Sequence, residues 1–323
     1  MVIAERHTRS PKREIVIKSP KYREFEGVRI QWDKVPWNFR HPELGGVTVD
    51  TYSIWNPSHH EEIATRLALG QRCAINMMGT YGVAEVREER TQRESDPIFD
   101  KIKQRDKMQS LVVFAHPDDI GDFIDFERMP QNLRHLQNLE QRRALYKGPM
   151  HAIFPIIPER LPDLGMIRDD RDAAFFWIPG HFGYEELAKK VKGRIGSGVL
   201  AGGSLNIHGQ SPSYSPEELR AEMARHQEWL KGVHFVINDE FANGIARSHT
   251  QVSFMQDPPS VVRKGSLSLE KIARDTGLSL VYDESVKEAS SKTPYNQESN
   301  QDTDRRVEEA LARIARFQAS LVA

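Results

Sequence analysis

Apolar and polar positions along this chain follow two periods, and the switches between them mark its elements. SHHEEIATRLALGQ (58–71) carries helical spacing, with Ser58 as N-cap, acidic residues in the first turn and Gly70 at the end. RCAINMM then reads as a strand, Gly79-Thr80-Tyr81-Gly82 as a turn and PIFDKIKQR as a second helix. SLVVFA (110–115) is continuously apolar between polar flanks, the pattern of a buried strand. PDDIGDFIDF opens a helix with Asp118 and Asp119 in its first turn.

MHAIFPI (150–156) and DAAFFWIP (172–179) are strands, YEELAKKVKG (184–193) is a helix ending at a glycine, and IGSGVLAGG is a short strand entering a loop. SPEELRAEMARHQEWLKG (215–232) is a helix whose Ser215 and Glu218 form a capping box. VHFVIND is a strand, TQVSF and PSVVRKG pair, SLEKIARDTG is a short helix, and DRRVEEALARIARFQASL is a terminal amphipathic helix that docks on the body or on a partner. Strands alternating with helices predict an α/β domain with a mixed sheet. Residues 1–55, with short strands at IVIKS and GVRIQW, read as an N-terminal extension. The main domain spans 56–283, and 284–323 form a polar linker and the terminal helix.

Composition narrows the function classes. The 323 residues hold 45 basic and 46 acidic side chains, so no global charge points to nucleic acid or a membrane. The cluster Arg6, Arg9, Lys12 and Arg13 reads as a solvated arm, with RNA contact as its alternative. No apolar run reaches the ~18–20 residues that span a bilayer, and the N-terminus lacks a signal peptide's apolar stretch, so the expected location is cytoplasmic. The one cysteine, Cys73, excludes a disulfide framework and a cysteine-rich zinc site, and reads as a small buried apolar residue.

Two segments suit a nucleotide phosphate. Lys103 and Arg105 stand at a helix end leading into a strand, a point charge beside a planar fork. Ser204 and Asn206 stand in a loop flanked by Gly202-Gly203 and Gly209, where backbone can approach a ligand and short side chains can bind phosphate, ribose or base. A solvated helix end and an Asx-type turn are the plain alternatives.

These segments fall into one known order. Ile102-Lys103-Gln104-Arg105 before SLVVFA resembles the K-x-R motif of the YrdC-like threonylcarbamoyl-adenylate synthase family. AINMM with Gly79-Thr80-Tyr81-Gly82, Tyr146-Lys147-Gly148-Pro149 with MHAIFP, and Ser204-Leu205-Asn206-Ile207-His208-Gly209 resemble that family's strand and turn, Trp-Pro-Gly-Pro and Ser-Ala-Asn-x-Ser-Gly segments. Arg263-Lys264-Gly265 resembles its Arg-Pro-Gly, and Ser248-His249-Thr250 its Ser-Thr pair. The resemblance covers about residues 58–275.

It implies a YrdC-like twisted mixed sheet flanked by helices, and a nucleotidyltransferase joining threonine or another amine, bicarbonate and ATP into a carbamoyl-adenylate with release of pyrophosphate. Mg²⁺ accompanies the ATP. The product feeds modification of tRNA adenosine 37 or a specialised pathway. Lys103 and Arg105 are then catalytic. Ser204, Asn206, Ser248 and Arg263 join them in binding ATP, and Thr80, Tyr81 and Trp177 bind substrate. Partners are these small molecules and tRNA or tRNA-modification proteins, and a homodimer is compatible.

Three departures stand out. Asn76-Met77-Met78-Gly79 lies where the family reads Pro-Thr-(Asp or Glu)-(Thr or Ala), Trp177 stands in place of an arginine, and Gly202-Gly203 stand in place of Ser-Thr. Phosphate-side residues are thus kept better than amine-side ones.

Other readings remain open. Ala115-His116-Pro117-Asp118-Asp119 resembles the first motif of zinc-dependent N-acetylglucosaminyl deacetylases, but Ile120 replaces that family's glutamate. His59, His60, His151, His181 and His208 offer further ligands without a zinc spacing. Gly196-Ser-Gly198-Val-Leu-Ala201 matches a dinucleotide fingerprint that requires a preceding strand and a following helix. A non-catalytic RNA-binding module on the same basic surface is the third class.

Overall fold

In a computed structural model the chain is described over residues 21–86, 112–146, 148–160, 172–177, 181–196, 199–207, 210–242, 245, 247–282, 286 and 300–322. Lys103, Arg105, the helix expected over 97–105, IVIKS, His208 and nearly all of the 284–299 linker lie outside these residues.

The strands are β1 (Tyr22–Phe25), β2 (Val28–Gln31), β3 (Val35–His41), β4 (Gly45–Ser53), β5 (Cys73–Asn76), β6 (Tyr81–Val86), β7 (Val112–Phe114), β8 (Met150–Pro155), β9 (Asp172–Trp177), β10 (Leu200–Ser204), β11 (Phe235–Asn238), β12 (Thr250–Ser253) and β13 (Ser260–Arg263). β1 and β2 form a separate hairpin. The other eleven make one mixed sheet, ordered β13-β12-β8-β9-β7-β10-β6-β5-β11-β4-β3. β11 runs parallel to β4 and β5, β8 to β12 and β7 to β9, while the remaining neighbours are antiparallel. The stretch read as an N-terminal extension thus supplies two strands of the main sheet.

Period-two alternation divides the central strands between two cores. Cys73, Ile75, Ala84, Phe235 and Ile237 face the larger one, and Ala74, Tyr81, Val83 and Val236 face the smaller. Helices α1 (Pro57–Ala68) and α4 (Phe182–Ile195) supply Ile63, Leu67, Leu187 and Val191 to the larger core; α5 (Pro216–Arg225) and α6 (Trp229–Gly232) cover the smaller. The terminal helix α8 (Asn300–Val322) docks on the body: Val307, Ala310, Ile314 and Phe317 are buried, and Phe317 packs against Phe25 and Phe241. No helix of the described residues is long and apolar enough to cross a membrane.

Several boundaries differ from the sequence expectation for identifiable reasons. The cap of α1 is Asn56, whose side chain accepts from Ser58 N at 3.0 Å, and Pro57 takes the first helical position. α4 runs through Gly193 and stops at Gly196, φ 76°, where left-handed backbone closes the helix. PDDIGDFIDF gives only the turn α2 (Pro117–Ile120), because the next residues pair with the end of β8: Ile157 N donates to Phe123 O at 3.0 Å and Ile124 bridges to Ile156. The helix expected over 215–232 breaks at His226, and Trp229 and Leu230 both enter the smaller core. Tyr81-Gly82 belong to β6 rather than to a turn, so the hairpin loop is Met77–Thr80.

Candidate functional site

The Met77–Thr80 loop is the point on which the nominated segments converge. Met77 N donates to Thr80 O at 2.9 Å, and Gly79 N donates to the Asn76 side chain at 2.9 Å. Met78 sits at φ 52° and Gly79 at φ 104°. A Cβ on Gly79 would lie 1.7 Å from the carbonyl oxygen of Ile245. A non-glycine residue at positive φ costs about 1 kcal/mol or more and persists where its surroundings hold it.

The holding is done largely by a histidine pair. His249 Nε2 lies 2.7 Å from Met77 O, His249 Nδ1 lies 3.3 Å from His151 Nε2, and His151 Nδ1 lies 2.9 Å from Gln251 Nε2. A carbonyl can only accept and an amide NH₂ can only donate, so the ends fix both tautomers. Each ring carries its proton on Nε2, and the chain of donors runs from Gln251 to Met77. Both rings are neutral. Burial, reinforced by the Arg263 charge, pushes His249 down to about 3. Burial, with His249 and Arg263 beside it, holds His151 well below the usual histidine range. In the sequence His151 stands only among loose histidines and His249 only inside the Ser248-His249-Thr250 segment. The pair's one legible signal is the placement of both at the entry to paired strands.

Arg263, at the end of β13, donates from Nε to His249 O at 3.0 Å. Among the described residues no carboxylate pairs with it. Burial draws its pKa down while nearby Tyr214 opposes that, and a guanidinium remains charged at neutral pH. Ser248 is buried beside it, its carbonyl accepting from Ser266 N at 2.9 Å. Gly265 makes the approach feasible, since a Cβ there would come within 2.2 Å of the His249 carbonyl carbon.

Ser204 ends β10 in register with Gly82, so it closes a strand rather than lying inside a loop. Leu205 N donates to Tyr81 O at 2.9 Å, which places Asn206 beside the same hairpin. Asn206 shapes its own turn by donating from Nδ2 to the carbonyls of Ile207 and Gln210, at 3.0 and 2.6 Å. Thr80 is buried, with Oγ1 3.4 Å from Arg247 O. Tyr81 points to the smaller core and spends its hydroxyl on Asn238 Oδ1 at 2.6 Å; burial raises its pKa well above the phenol value. Its amide donates to Ser213 O at 3.0 Å, and the buried Ser213 Oγ has no hydrogen-bond partner among the described residues.

Trp177 stands on the other side of Met77. With Ile75, Met77, Phe114, Leu187 and Leu200 it lines a cavity of about 50 Å³, and its ring meets His116 edge-on at 4.5 Å. A larger polar hollow of about 630 Å³ lies between the N-terminal strands and the start of α5, where Glu240 is engaged by Gln31 N and Ser53 Oγ. The structure therefore gathers Thr80, Ser204, Asn206, Ser248 and Arg263 around one hairpin, with Tyr81 as its buried anchor and Trp177 across Met77 from them.

No protein-family model matches the chain, and no curated protein matches it in sequence. Solved structures do. A double variant of P. abyssi Sua5 superposes with a TM-score of 0.52 at 17% identity over 73% of this chain, and P. abyssi Sua5 complexed with L-threonine does so with 0.52 at 18% identity over 72%. The chain has the Sua5 fold. This is the YrdC-like architecture that the sequence motifs implied. The matches cover 62% of each Sua5 chain.

Within the Sua5 fold the two competing motifs have other work. His116 caps the α2 turn by accepting from Asp118 N at 3.2 Å. Asp118 receives a forked pair from Arg143 of helix α3 (Leu139–Leu145), with Nη2 2.8 Å from both oxygens, and Asp119 pairs with Lys192. Among the described residues no three His, Cys, Asp or Glu side chains are grouped to hold a metal ion. His181 donates from Nε2 to the fully buried Asp239 at 3.0 Å, a pair that ties the start of α4 to the end of β11. The glycine fingerprint at 196–201 follows a helix and enters strand β10, the reverse of the order a dinucleotide site requires.

Proposed function

We propose that this chain is an ATP-dependent nucleotidyltransferase that makes a carbamoyl-adenylate from an amine, bicarbonate and ATP. One observation carries the reading. Arg263 is a partly buried guanidinium with no carboxylate partner among the described residues, and it stands beside Ser248 at the hairpin that also gathers Ser204 and Asn206. A buried cation without an anion is costly, and a phosphate group would complete it. The Ser213 hydroxyl beside the same hairpin, without a partner among the described residues, offers a further hydrogen bond. The likeness to P. abyssi Sua5, one structure of which holds L-threonine, supports the same reading.

In the reaction the amine nitrogen bonds to the carbon of CO₂ and loses a proton, or bonds to the carbon of bicarbonate as its C–OH bond breaks and water departs, giving a carbamate in either case. A carbamate oxygen then attacks the α-phosphorus of ATP, and the bond to the bridging oxygen of the β-phosphate breaks, releasing pyrophosphate. Arg263, with Lys103 and Arg105, offsets charge on the phosphates, so the chemistry rests on positioning and electrostatics. Mg²⁺ would be held chiefly by the nucleotide's phosphates, which suits a site without a cluster of protein metal ligands among the described residues. The mixed anhydride would pass its carbamoyl group to an acceptor, on tRNA adenosine 37 or in a specialised pathway, in the cytoplasm.

The test is ATP–pyrophosphate exchange across amines with and without bicarbonate. Exchange that requires bicarbonate and one class of amine is expected, with loss of activity in Lys103→Ala/Arg105→Ala. Exchange undiminished by that double substitution would remove those residues from the site, and ATP binding with no exchange for any amine would refute the reaction.

A further inference from the structure

The cavity beside Trp177 is dry in character, with a wall that is almost wholly carbon. Its wall is built from Ile75, Met77, Phe114, Trp177, Leu187 and Leu200, with alanines between them. Two polar residues reach it. Tyr184 gives its hydroxyl to Asn76 O, and His116 Nδ1 accepts from Asp118 N. At about 50 Å³ the cavity holds roughly four water-sized spheres, room for a group of about three or four carbon atoms. Apolar cavities of this kind stay dry and take apolar occupants.

Its position joins it to the proposed site. Met77 is a shared wall: its side chain lines the cavity and lies over Gly82, where a Cβ would meet Met77 Cε at 2.3 Å and Gly203 O at 3.0 Å. Gly82 is in register with Ser204. The same residue's carbonyl is fixed by His249, whose own carbonyl holds Arg263. The strained Met77–Gly79 loop is therefore held between an apolar hollow and the Arg263 cation, and the histidine pair sets its position.

We infer that this cavity receives the side chain of the amine substrate, and that the substrate carries a short branched aliphatic group of isopropyl size. The inference rests on the reading of the chain as an amine-activating nucleotidyltransferase. A hydroxyl entering the cavity would exchange water for a wall that is almost wholly carbon, with the Tyr184 hydroxyl already given to Asn76 O, so threonine is disfavoured against its isostere valine. A hydrophobic pocket separates such a pair by roughly 10- to 100-fold.

Two measurements test this. Bicarbonate-dependent exchange is run with L-valine and L-threonine, and valine binding is followed separately by isothermal titration. Valine is expected to exceed threonine in kcat/KM by roughly 10- to 100-fold. Ala188→Leu, which fills the cavity from helix α4, should weaken valine binding at least about tenfold and leave ATP affinity unchanged. Threonine equal to or better than valine overturns the pocket and leaves nucleotidyl transfer standing. Valine binding that Ala188→Leu weakens, without exchange, overturns the reaction and leaves the pocket standing. Absence of valine binding and of valine-dependent exchange overturns the inference.

Discussion

Replacing Glu240 by glutamine should make the protein more stable, by an amount that grows with pH. The Glu240 side chain sits in the short turn after β11, where the residue is 8% exposed. Its Oε1 accepts from Gln31 N at 3.1 Å and its other oxygen meets Ser53 Oγ at 2.8 Å. Burial, with the neighbouring Asp239 charge adding to it, outweighs these hydrogen bonds and lifts the carboxyl to about 8, against 4.5 in an open chain. A pKa raised on folding means that the folded protein favours the acid form. The stabilisation is therefore complete below about pH 4.5 and is lost as pH rises through 8.

The slope is about 1.4 kcal/mol per pH unit, so by pH 7 about 3 kcal/mol has gone. That is a large share of a typical stability of 5–15 kcal/mol. Glutamine keeps one acceptor for Gln31 and one donor for Ser53, the polarity of the protonated acid, and does not titrate. Urea unfolding of both proteins at pH 5, 6, 7 and 8 gives the difference directly, because other titrating groups cancel. Glu240→Gln is expected to lead by about 0.8 kcal/mol at pH 5 and by roughly 3 kcal/mol at pH 7. Parallel stability curves, or a glutamine variant weaker at pH 7, would refute the argument.

His249 should act in the opposite direction. Its folded pKa of about 3 lies below the histidine value of 6.5, so its contribution is present above pH 6.5 and lost as pH falls toward 3. The acid limb of the urea-stability profile should be shallower in His249→Gln than in the parent. Gly79→Ala should cost more than about 3 kcal/mol or prevent folding, because a left-handed φ and a 1.7 Å clash coincide; a chemical denaturation midpoint close to the parent's would contradict the loop geometry. Phe317→Ala should cost about 3–5 kcal/mol and speed hydrogen exchange through residues 300–322, since that ring is fully buried against Phe25, Phe241 and Trp55. Arg263→Lys should raise the KM for ATP about tenfold with little change in melting temperature, because a point charge replaces a fork that already spends one donor on His249 O.

Local pattern alone determined the strands and helices that carry a strong period and a strong stop. β5, β8, β11 and the β12–β13 pair were legible because their residues alternate or run apolar between turn signals. α7 (Leu269–Thr276) was legible because Ser268 caps it and Gly277 ends it at φ 72°. The order of short motifs was enough to imply the YrdC-like architecture, since such motifs mark strand ends and loops whose succession a fold fixes. Tertiary structure decided whatever depended on distant partners. The turn after Pro117 gave way to pairing with β8, and the run after Arg225 broke so that two neighbouring residues could reach one core. Residues 35–53 became sheet strands because β11 offered an edge to β4. The same holds for the site: Ser248 and Arg263 are far from Met77 in sequence, and only the sheet brings His249 against Met77 O and, among the described residues, leaves Arg263 without a carboxylate partner. A hydrogen-bond direction or an unpaired buried charge is a property of neighbours in space, and no period along the chain encodes it.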